Sequence, residues 1–507
     1  MDHFFNSSKY EPHSNDSFNN RYWFDDTYYK PGGPVFLLIV GESEATFRLP
    51  ILQKGIIYQL SQQYGGLGVV IEHRYFGRSQ PTPDLSVENL RFLTTEQALE
   101  DVVYFAKNIV FDGHESDPLT ADKTPWIAYG GSYSGAFTAF MRSLYPGDFW
   151  GTISSSGVTE AIYDYWEYYA PIAQYGPQPC MTYQQKIVNM VDNILLSNDT
   201  SSVEEIDYCD VDMPLVPQLK RLFGLEGLTC ANDFAAQVSY LLGYWQSLNW
   251  DPAVNSTTFG DYCSNVTALD LVFNNTDQMS SAQQLLTAGG YGDHLDELTT
   301  PLLNMAGFIN QSQSVGCTSG GQTLDQCWST HNVTYYEQHD LDQSSWRSWP
   351  YMYCTQWGYL QTGSGAPADQ LPLVSRTVNL NYTSIICRDA FGIDTPPDTE
   401  AINQYGGFNI SYDRLAILGG EIDPWRPATP LAESLAPWSN RPNTTDQPFI
   451  LIEGGVHHWD ENGLFPNETS PGIPPEPVAQ AQADEVSFVG AWLKEAEAVF
   501  GRTFDNC

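Results

Sequence analysis

Residues 126–136, WIAYGGSYSGA, constrain the fold of this chain more than any other segment. An apolar run typical of a buried strand leads directly into two glycines and a serine, Ser132. So tight a turn from strand to helix requires small residues two positions before and two positions after the serine, and these are Gly130 and Ser134. The pattern predicts a nucleophile elbow with Ser132 at its apex. The alternative is an ordinary serine at the N-cap of the helix that begins there.

Two later apolar runs end in the residues that such a serine needs. AILGGEIDPW (416–425) places Asp423 after a predicted strand, and FILIEGGVHHW (449–459) places His457 after another. The chain order Ser, Asp, His is that of the α/β-hydrolase triad, whose members lie at the carboxyl ends of neighbouring parallel strands. We therefore predict Ser132, Asp423 and His457 as the catalytic residues.

Each member of this triad has a rival nearby. Ser134 also has small neighbours, but only Ser132 lies two positions after the first glycine with the predicted strand directly before it. Asp423 could form an ordinary Asx turn, and Glu421 is the competing acid. His458 adjoins His457, and we expect it to support the site or pack beside it. HHWDE lacks the helical histidine spacing of a zinc site, so we expect neither a metal ion nor another cofactor.

The oxyanion formed by attack on a carbonyl requires two hydrogen-bond donors. The backbone N–H of Tyr133, directly after the nucleophile, is the expected first donor. The second should come from the loop after the apolar strand at 35–40, where Gly41 and Glu42 are the candidates.

The rest of the chain predicts a doubly wound parallel sheet. Apolar strands at 35–40, 65–77, 149–157, 414–420 and 448–455 alternate with helical spacing, as at 92–110. From about Tyr165 a region rich in Tyr, Trp, Gln and Cys interrupts this rhythm. The predicted fold is an α/β-hydrolase core in residues 1–164 and 376–507, with a large, mainly helical cap domain inserted at 165–375. An amphipathic helix closes the chain.

The charge excludes two classes of partner. The chain has 61 acidic and 22 basic residues and a net charge of -39, which repels nucleic acid and anionic membranes. No apolar run is long enough to span a membrane. Because the pI is about 4.2, repulsion among carboxylates is relieved in acid, and we expect an acidic working environment.

Several features indicate a secreted glycoprotein, with a lysosome-like or vacuole-like acidic compartment as the alternative. Six of the nine cysteines cluster in the middle region, where local disulfides would suit them, although the sequence leaves their connectivity open. The chain opens on MDHFFNSS, so we expect any secretion signal to have been removed. N-linked glycan acceptors occur at Asn6, Asn15, Asn198, Asn255, Asn265, Asn274, Asn310, Asn332, Asn381, Asn409, Asn443 and Asn467.

Taken together, several strings resemble one serine peptidase family, that of lysosomal Pro-Xaa carboxypeptidase, dipeptidyl peptidase II and the fungal acid prolyl endopeptidases. They are FNNRYW (18–23), GGPVFLLIVGESE (32–44), EHRYFGRS (72–79), GGSYSGA (130–136), DPW (423–425) and EGGVHH (453–458), with Asp2-His3-Phe4 at the start. The resemblance implies cleavage after proline by the same triad. It also implies that Trp425 forms an aromatic wall of a proline pocket, which Met352 and Trp357 complete.

Two departures favour the endopeptidase branch. Animal exopeptidases of this family tend to have glycine at the position of Ser134, and their loop after the first core strand is richer in glycine than GESEA. We therefore predict a secreted acid prolyl endopeptidase acting on proline-containing peptides or proteins. A Pro-Xaa carboxypeptidase or dipeptidyl exopeptidase is the alternative within the family. An esterase and a non-catalytic binding protein of the same fold are the alternatives from other classes.

Overall fold

The computed structural model describes residues 14–196, 209, 214–435 and 441–504. In these residues a seven-stranded sheet has the order β1-β3-β2-β4-β5-β8-β9, and only the edge strand β1 runs antiparallel to its neighbour. The two remaining strands, β6 and β7, form a separate parallel pair. The strands are β1 Tyr22–Asp25, β2 Val35–Ile39, β3 Leu67–Ile71, β4 Trp126–Gly131, β5 Gly151–Ser155, β6 Ile162–Asp164, β7 Gly358–Leu360, β8 Leu415–Gly420 and β9 Phe449–Ile452.

Helices cover both faces of the large sheet, which explains why its strands are apolar at every position. In β2, Val35 and Leu37 face one core while Phe36 and Leu38 face the other, and all four are buried. The first face packs against α4 and α5, and the second against α2 and the closing helix α20. The helices of this part are α1 Ile51–Lys54, α2 Ile56–Tyr64, α3 Val87–Leu90, α4 Thr95–Asn108, α5 Tyr133–Leu144 and α20 Glu476–Phe500.

The segment between β5 and β8 contains the cap. It is mainly helical, as predicted, and adds only the short β6–β7 pair, which the sequence analysis did not anticipate. Its helices are α6 Tyr169–Tyr175, α7 Gln178–Leu195, α8 Val216–Leu222, α9 Ala231–Ser239, α10 Thr258–Val266, α11 Met279–Ala288, α12 Leu295–Ile309, α13 Gly316–Ser319, α14 Leu324–Trp328, α15 Val333–Tyr336, α16 Ser344–Met352, α17 Leu380–Thr383, α18 Ile385–Phe391 and α19 Glu400–Asn403. The parallel sheet, the helices on both faces and the helical insertion define an α/β-hydrolase fold with a cap. The exact domain boundaries remain predictions.

Four disulfides link cap cysteines. The six clustered cysteines pair among themselves, and the remaining pair joins the π-helical turn Tyr353–Trp357, which follows α16, to α18. The bonds are Cys180–Cys263, Cys209–Cys230, Cys317–Cys327 and Cys354–Cys387. The ninth cysteine, Cys507, lies outside the described residues. His331 lies 3.6 Å from the Cys209 sulfur, but a disulfide sulfur is not a thiolate that could hold a metal ion.

Within the described parts of the chain, none of the helices combines the length and apolar character needed to cross a lipid bilayer.

Candidate active site

Ser132 lies between β4 and α5 in a strained backbone conformation. Its φ is 61° and its ψ is -128°, a region that non-glycine residues rarely adopt and that nucleophile elbows require. A side chain at Gly130 would come within 2.1 Å of the Ser134 carbonyl oxygen. Ser134 itself is buried and donates its hydroxyl to the Gly131 carbonyl at 2.7 Å. The local geometry therefore presents Ser132 as the nucleophile candidate and makes Ser134 part of the turn.

Asp423 and His457 meet at the same edge of the sheet, beyond the ends of β8 and β9. The His457 Nδ1 atom lies 2.9 Å from one Asp423 carboxylate oxygen and 3.1 Å from the other. Burial alone would raise the pKa of Asp423, but the nearby His457 imidazole, with hydrogen bonds from Ser156 and the Trp425 amide, lowers it on balance. Asp423 is therefore suited to remain ionised in mild acid and to orient the imidazole.

Ser132 and His457 line one cavity of about 300 Å³ with the oxyanion and pocket candidates Tyr133, Glu42 and Trp425. Tyr133 is the first residue of α5. Gly41 is buried beneath the cavity, where an added side chain would contact Ser134 at 3.2 Å. Of the two predicted second oxyanion donors, Glu42 thus lines the cavity and Gly41 supports the turn.

An aromatic wall borders His457. The Trp425 ring lies 6.4 Å from the His457 ring, stacks on Tyr165 at 5.3 Å and meets Tyr359 edge-on at 5.2 Å. Its indole N–H donates to Gln246 at 2.8 Å, which fixes the plane of the ring. Trp425, Tyr359 and Gln246 all line the cavity.

Two residues predicted for the proline pocket are instead buried in the core. Met352 and Trp357 have no exposed surface and are not among the residues that line the cavity. Trp357 packs edge-on against Tyr133 at 5.1 Å, so it supports the elbow from behind. The segment that contains both residues, WPYMYCTQWGY (349–359), does supply two lining residues, Trp349 and Tyr359. Periodicity could not select them, because Tyr353–Trp357 forms a π-helical turn that changes which residues face the cavity.

Ser156, which the sequence analysis did not single out, joins the two loops that carry the acid and the histidine. It follows β5, is fully buried and has a φ of 46°. Its hydroxyl accepts the His458 backbone N–H at 3.0 Å and hydrogen-bonds to the Asp423 carboxylate. The only sequence signal was the run of small residues at the end of the strand.

His458 belongs to a charged network beside the cavity. Its Nδ1 atom lies 2.7 Å from Glu461, which also forms a 2.8 Å ion pair with Arg48. Burial lowers the pKa of His458, although Glu461 partly opposes this effect.

Burial raises the pKa of Glu42, which also lines the cavity. Arg426, three residues after Asp423, donates hydrogen bonds to the carbonyls of Leu431 and Glu421.

A buried aspartate, Asp460, anchors the loop that carries His457. Asp460 is completely buried and accepts hydrogen bonds from Tyr129 at 2.6 Å and Ser155 at 2.5 Å. Burial raises its pKa to about 6 despite these bonds. Glu485 of α20 is also completely buried, and neither of its carboxylate oxygens has a hydrogen-bond partner among the residues that the structure describes. Its pKa is raised by burial and by Asp460.

The elbow, the acid–histidine pair and the cavity define the class of the protein as a serine hydrolase of the α/β-hydrolase fold. Comparison with known proteins narrows this class. The chain belongs to the serine carboxypeptidase S28 family, whose model matches residues 1–211 and 226–470, and it is therefore a serine-type peptidase. The resemblance drawn from the sequence is confirmed at the level of the family.

Curated relatives agree with this assignment. A protein of Arthroderma benhamiae named "Probable extracellular serine carboxypeptidase" is 48% identical over 99% of this chain and 68% of its own length. "Serine protease vicPb" of Bipolaris victoriae is 31% identical over 88% of this chain and 81% of its own. The human "Thymus-specific serine protease" is 26% identical over 81% of this chain and 73% of its own.

Proposed function

We propose that the protein is a secreted serine peptidase that hydrolyses peptide bonds on the carboxyl side of proline, with Ser132, Asp423 and His457 as its triad. The observation that carries the proposal is the shared cavity, which the elbow serine and the histidine line together with the aromatic rings of Trp425 and Tyr359. The pyrrolidine ring of proline is apolar and nearly flat, so Trp425 and Tyr359 suit it.

The residues support a two-step acyl transfer. The Ser132 hydroxyl oxygen attacks the carbonyl carbon of proline and passes its proton to His457, while Asp423 holds the imidazole. The Tyr133 and Glu42 amides stabilise the oxyanion. When the C–N bond breaks, His457 gives the proton to the leaving amine. Water then attacks the acyl ester, transfers a proton through His457 to Ser132, and releases the peptide acid.

Secretion is supported by the four disulfides and by the word "extracellular" in the name of the Arthroderma relative. Glycosylation fits the structure, since none of the ten predicted acceptors in described positions is buried. Asn6 and Asn198 lie outside the described residues.

The mode of cleavage has two candidates. The sequence departures at Ser134 and the GESEA loop favour an endopeptidase. The carboxypeptidase alternative is favoured by the name of the Arthroderma relative and by Arg48, a cation in the cavity wall.

Digestion of a long proline-containing protein tests both specificity and mode. Internal fragments that end in proline indicate an endopeptidase, and stepwise loss of single residues after proline indicates a carboxypeptidase. Cleavage that ignores proline, or release of p-nitrophenol from esters without peptide hydrolysis, would contradict the proposal. Ser132→Ala serves as the catalytic control and Ser134→Ala as its matched neighbour.

The aromatic wall is tested with paired substrates that differ only in proline or alanine before the scissile bond. We expect Trp425→Leu to lower kcat/KM for the proline substrate about tenfold relative to the alanine substrate, because a flat apolar contact is lost. An unchanged ratio would remove Trp425 from the proline pocket.

A further inference from the structure

A second cavity, in the cap, is lined by aromatic rings and by uncharged polar groups. It has a volume of about 760 Å³ and lies against α14, α15 and α16, which supply five aromatic lining residues, Trp328, Tyr335, Tyr336, Trp346 and Trp349. The chain has a net charge of -39, yet none of the described residues that line this cavity is an aspartate, glutamate, lysine or arginine. Cavities of about 300 to 1,000 Å³ commonly hold small ligands. This one suits an uncharged ligand that has both flat apolar faces and hydrogen-bonding groups.

The aromatic rings of this cavity are held in place by their neighbours. The Tyr335 ring lies 4.5 Å from the Trp346 ring. The Tyr336 hydroxyl and the Trp328 indole N–H each donate to a main-chain carbonyl, at 2.7 and 3.3 Å. Tyr335 nevertheless keeps 38% of its surface exposed. A ligand therefore meets a preformed wall and loses little binding energy to ordering it.

Asn332 lies in the wall of the same cavity and begins the glycan acceptor Asn-Val-Thr. Its Oδ1 atom accepts the Tyr335 backbone N–H at 3.1 Å at the start of α15, which fixes the orientation of the amide. One Nδ2 hydrogen is donated to the Gln326 carbonyl at 3.2 Å. The second Nδ2 hydrogen is the one that an attached sugar replaces, so both hydrogen bonds can persist in a glycosylated residue.

We propose that Asn332 carries an N-linked glycan whose first N-acetylglucosamine is held in this cavity as a structural part of the cap. In the attachment, Nδ2 bonds to C1 of the sugar of a polyprenyl diphosphate oligosaccharide, polyprenyl diphosphate leaves, and one Nδ2 hydrogen departs as a proton. The C–H faces of the pyranose ring pack on the rings of Tyr335 and Trp346. The Gln326 side-chain NH₂, which donates to no other described residue and lies in the same wall, binds the acetamide carbonyl. The inference rests on the proposed secretion and glycosylation.

A segment of substrate is the competing occupant, because Trp349 lines both this cavity and the catalytic one. The glycan is favoured because its attachment atom belongs to the cavity wall. A tethered ligand of this kind has an effective concentration on the order of millimolar, whereas a substrate segment must bind from solution.

The first test compares two glycans on the folded protein, secreted from a eukaryotic host that adds N-linked glycans. Mass spectrometry of its peptides measures occupancy, and an endoglycosidase that cuts between the first two sugars measures access. We expect Asn332 to be occupied and its glycan to be released at least about tenfold more slowly than that of the exposed Asn274. Tyr335→Leu and Trp346→Leu each remove a ring and should each reduce this difference.

The second test removes the glycan without changing the cavity wall. Thr334 and Thr276 are exposed third residues of the acceptors at Asn332 and Asn274. Thr334→Ala should lower the thermal unfolding midpoint by roughly 2 °C or more. Thr334→Ser keeps the acceptor, and Thr276→Ala removes only the glycan at Asn274, so both should leave the midpoint unchanged.

The other outcomes would overturn the assignment. An unoccupied Asn332 beside an occupied Asn274 would contradict this inference alone, and absence of both glycans would also contradict the proposed glycosylation. Equal release rates, or slow release that survives in both ring variants, would remove the sugar from the cavity. If Trp346→Leu left glycan release unchanged but lowered kcat/KM for a long peptide, the cavity would belong to the substrate. Should Trp346→Leu not fold, Tyr335→Leu, at an exposed position, decides.

Discussion

Replacement of Asp460 by asparagine should remove one contribution to the protein's stability that depends on pH. Asp460 has an ordinary pKa of 3.8 when unfolded and a pKa of about 6 when folded, chiefly because it is buried. Between these values the folded state binds more protons than the unfolded state, so this group's contribution to stability falls as the pH rises. Each pKa unit corresponds to ~1.4 kcal/mol, and the rise from 3.8 to about 6 therefore destabilises the folded protein by about 3 kcal/mol at pH 7. The penalty falls to about 0.5 kcal/mol at pH 4 and disappears only below about pH 3.

Asparagine has the same shape but cannot ionise, so the variant lacks the penalty. Both hydroxyls that face Asp460, from Tyr129 and Ser155, can donate or accept and can adapt to an amide. We expect the free energy of unfolding of Asp460→Asn, relative to the wild-type protein, to improve by about 2.4 kcal/mol between pH 4 and pH 7. Urea unfolding at pH 4, 5, 6 and 7 measures this difference, and Asp369→Asn provides an exposed control.

The free energy of unfolding must be compared between variant and wild type, because other buried groups make the protein less stable as the pH falls. Burial lowers the pKa of His73 to about 4 from an ordinary 6.5, so its contribution is lost as the pH falls through this window. That contribution is common to both proteins and cancels in the difference. A difference that stays the same from pH 4 to pH 7 would refute the assignment of a raised pKa to Asp460.

Three further predictions concern catalysis. Ser132→Ala should lower kcat about 10⁴-fold to 10⁶-fold without changing the unfolding midpoint, whereas Ser134→Ala should retain most activity. Peptide hydrolysis measures the activity of both variants, and thermal unfolding measures their stability. If Ser134→Ala were inactive and Ser132→Ala active, the elbow assignment would be contradicted. Ser156→Ala removes a hydrogen bond from buried Asp423 and should lower kcat about tenfold to a hundredfold while raising the pKa of that carboxylate. As the pH is lowered, kcat/KM of Ser156→Ala should then begin to fall at a higher pH than that of the wild-type protein. A variant that is only destabilised would not show this change. For the wild-type protein, we expect kcat/KM on a prolyl peptide to be highest at about pH 4 to 5, where Asp423, whose pKa is lowered, stays ionised. Such an optimum also requires that the histidine base be neutral in mild acid. A profile that rises only above pH 7 would contradict acid action and leave the triad untouched.

The backbone framework could be predicted from the sequence because it rests on local signals. The fully apolar strands predicted the buried sheet, and the spacing around Ser132 predicted the elbow that the φ of 61° shows. The apolar runs before them, together with the chain order Ser, Asp, His, selected Asp423 and His457, which the fold brings within 2.9 Å. The strand and elbow signals are each contained in about a dozen residues.

The walls of the cavity could not be predicted in the same way. Trp349 and Tyr359 line it because the cap packs over the strand ends, and the sequence favoured the neighbouring Met352 and Trp357 instead. Arg48 likewise acquires its place through Glu461, which lies more than 400 positions further along the chain. Such contacts follow from tertiary packing, for which no local pattern exists.

The order of the strands has a consequence for how the protein is made. β5 pairs with β8, with Thr152 opposite Leu415, so the strand after the nucleophile must wait for more than 250 further residues before its neighbour is synthesised. All four disulfides lie within that interval and can close before β8 emerges. Ser132 is therefore translated long before Asp423 and His457 can reach it. A nascent chain on the ribosome therefore contains the proposed nucleophile without its proposed base, and under the proposed mechanism hydrolysis can begin only after residue 457 has been synthesised.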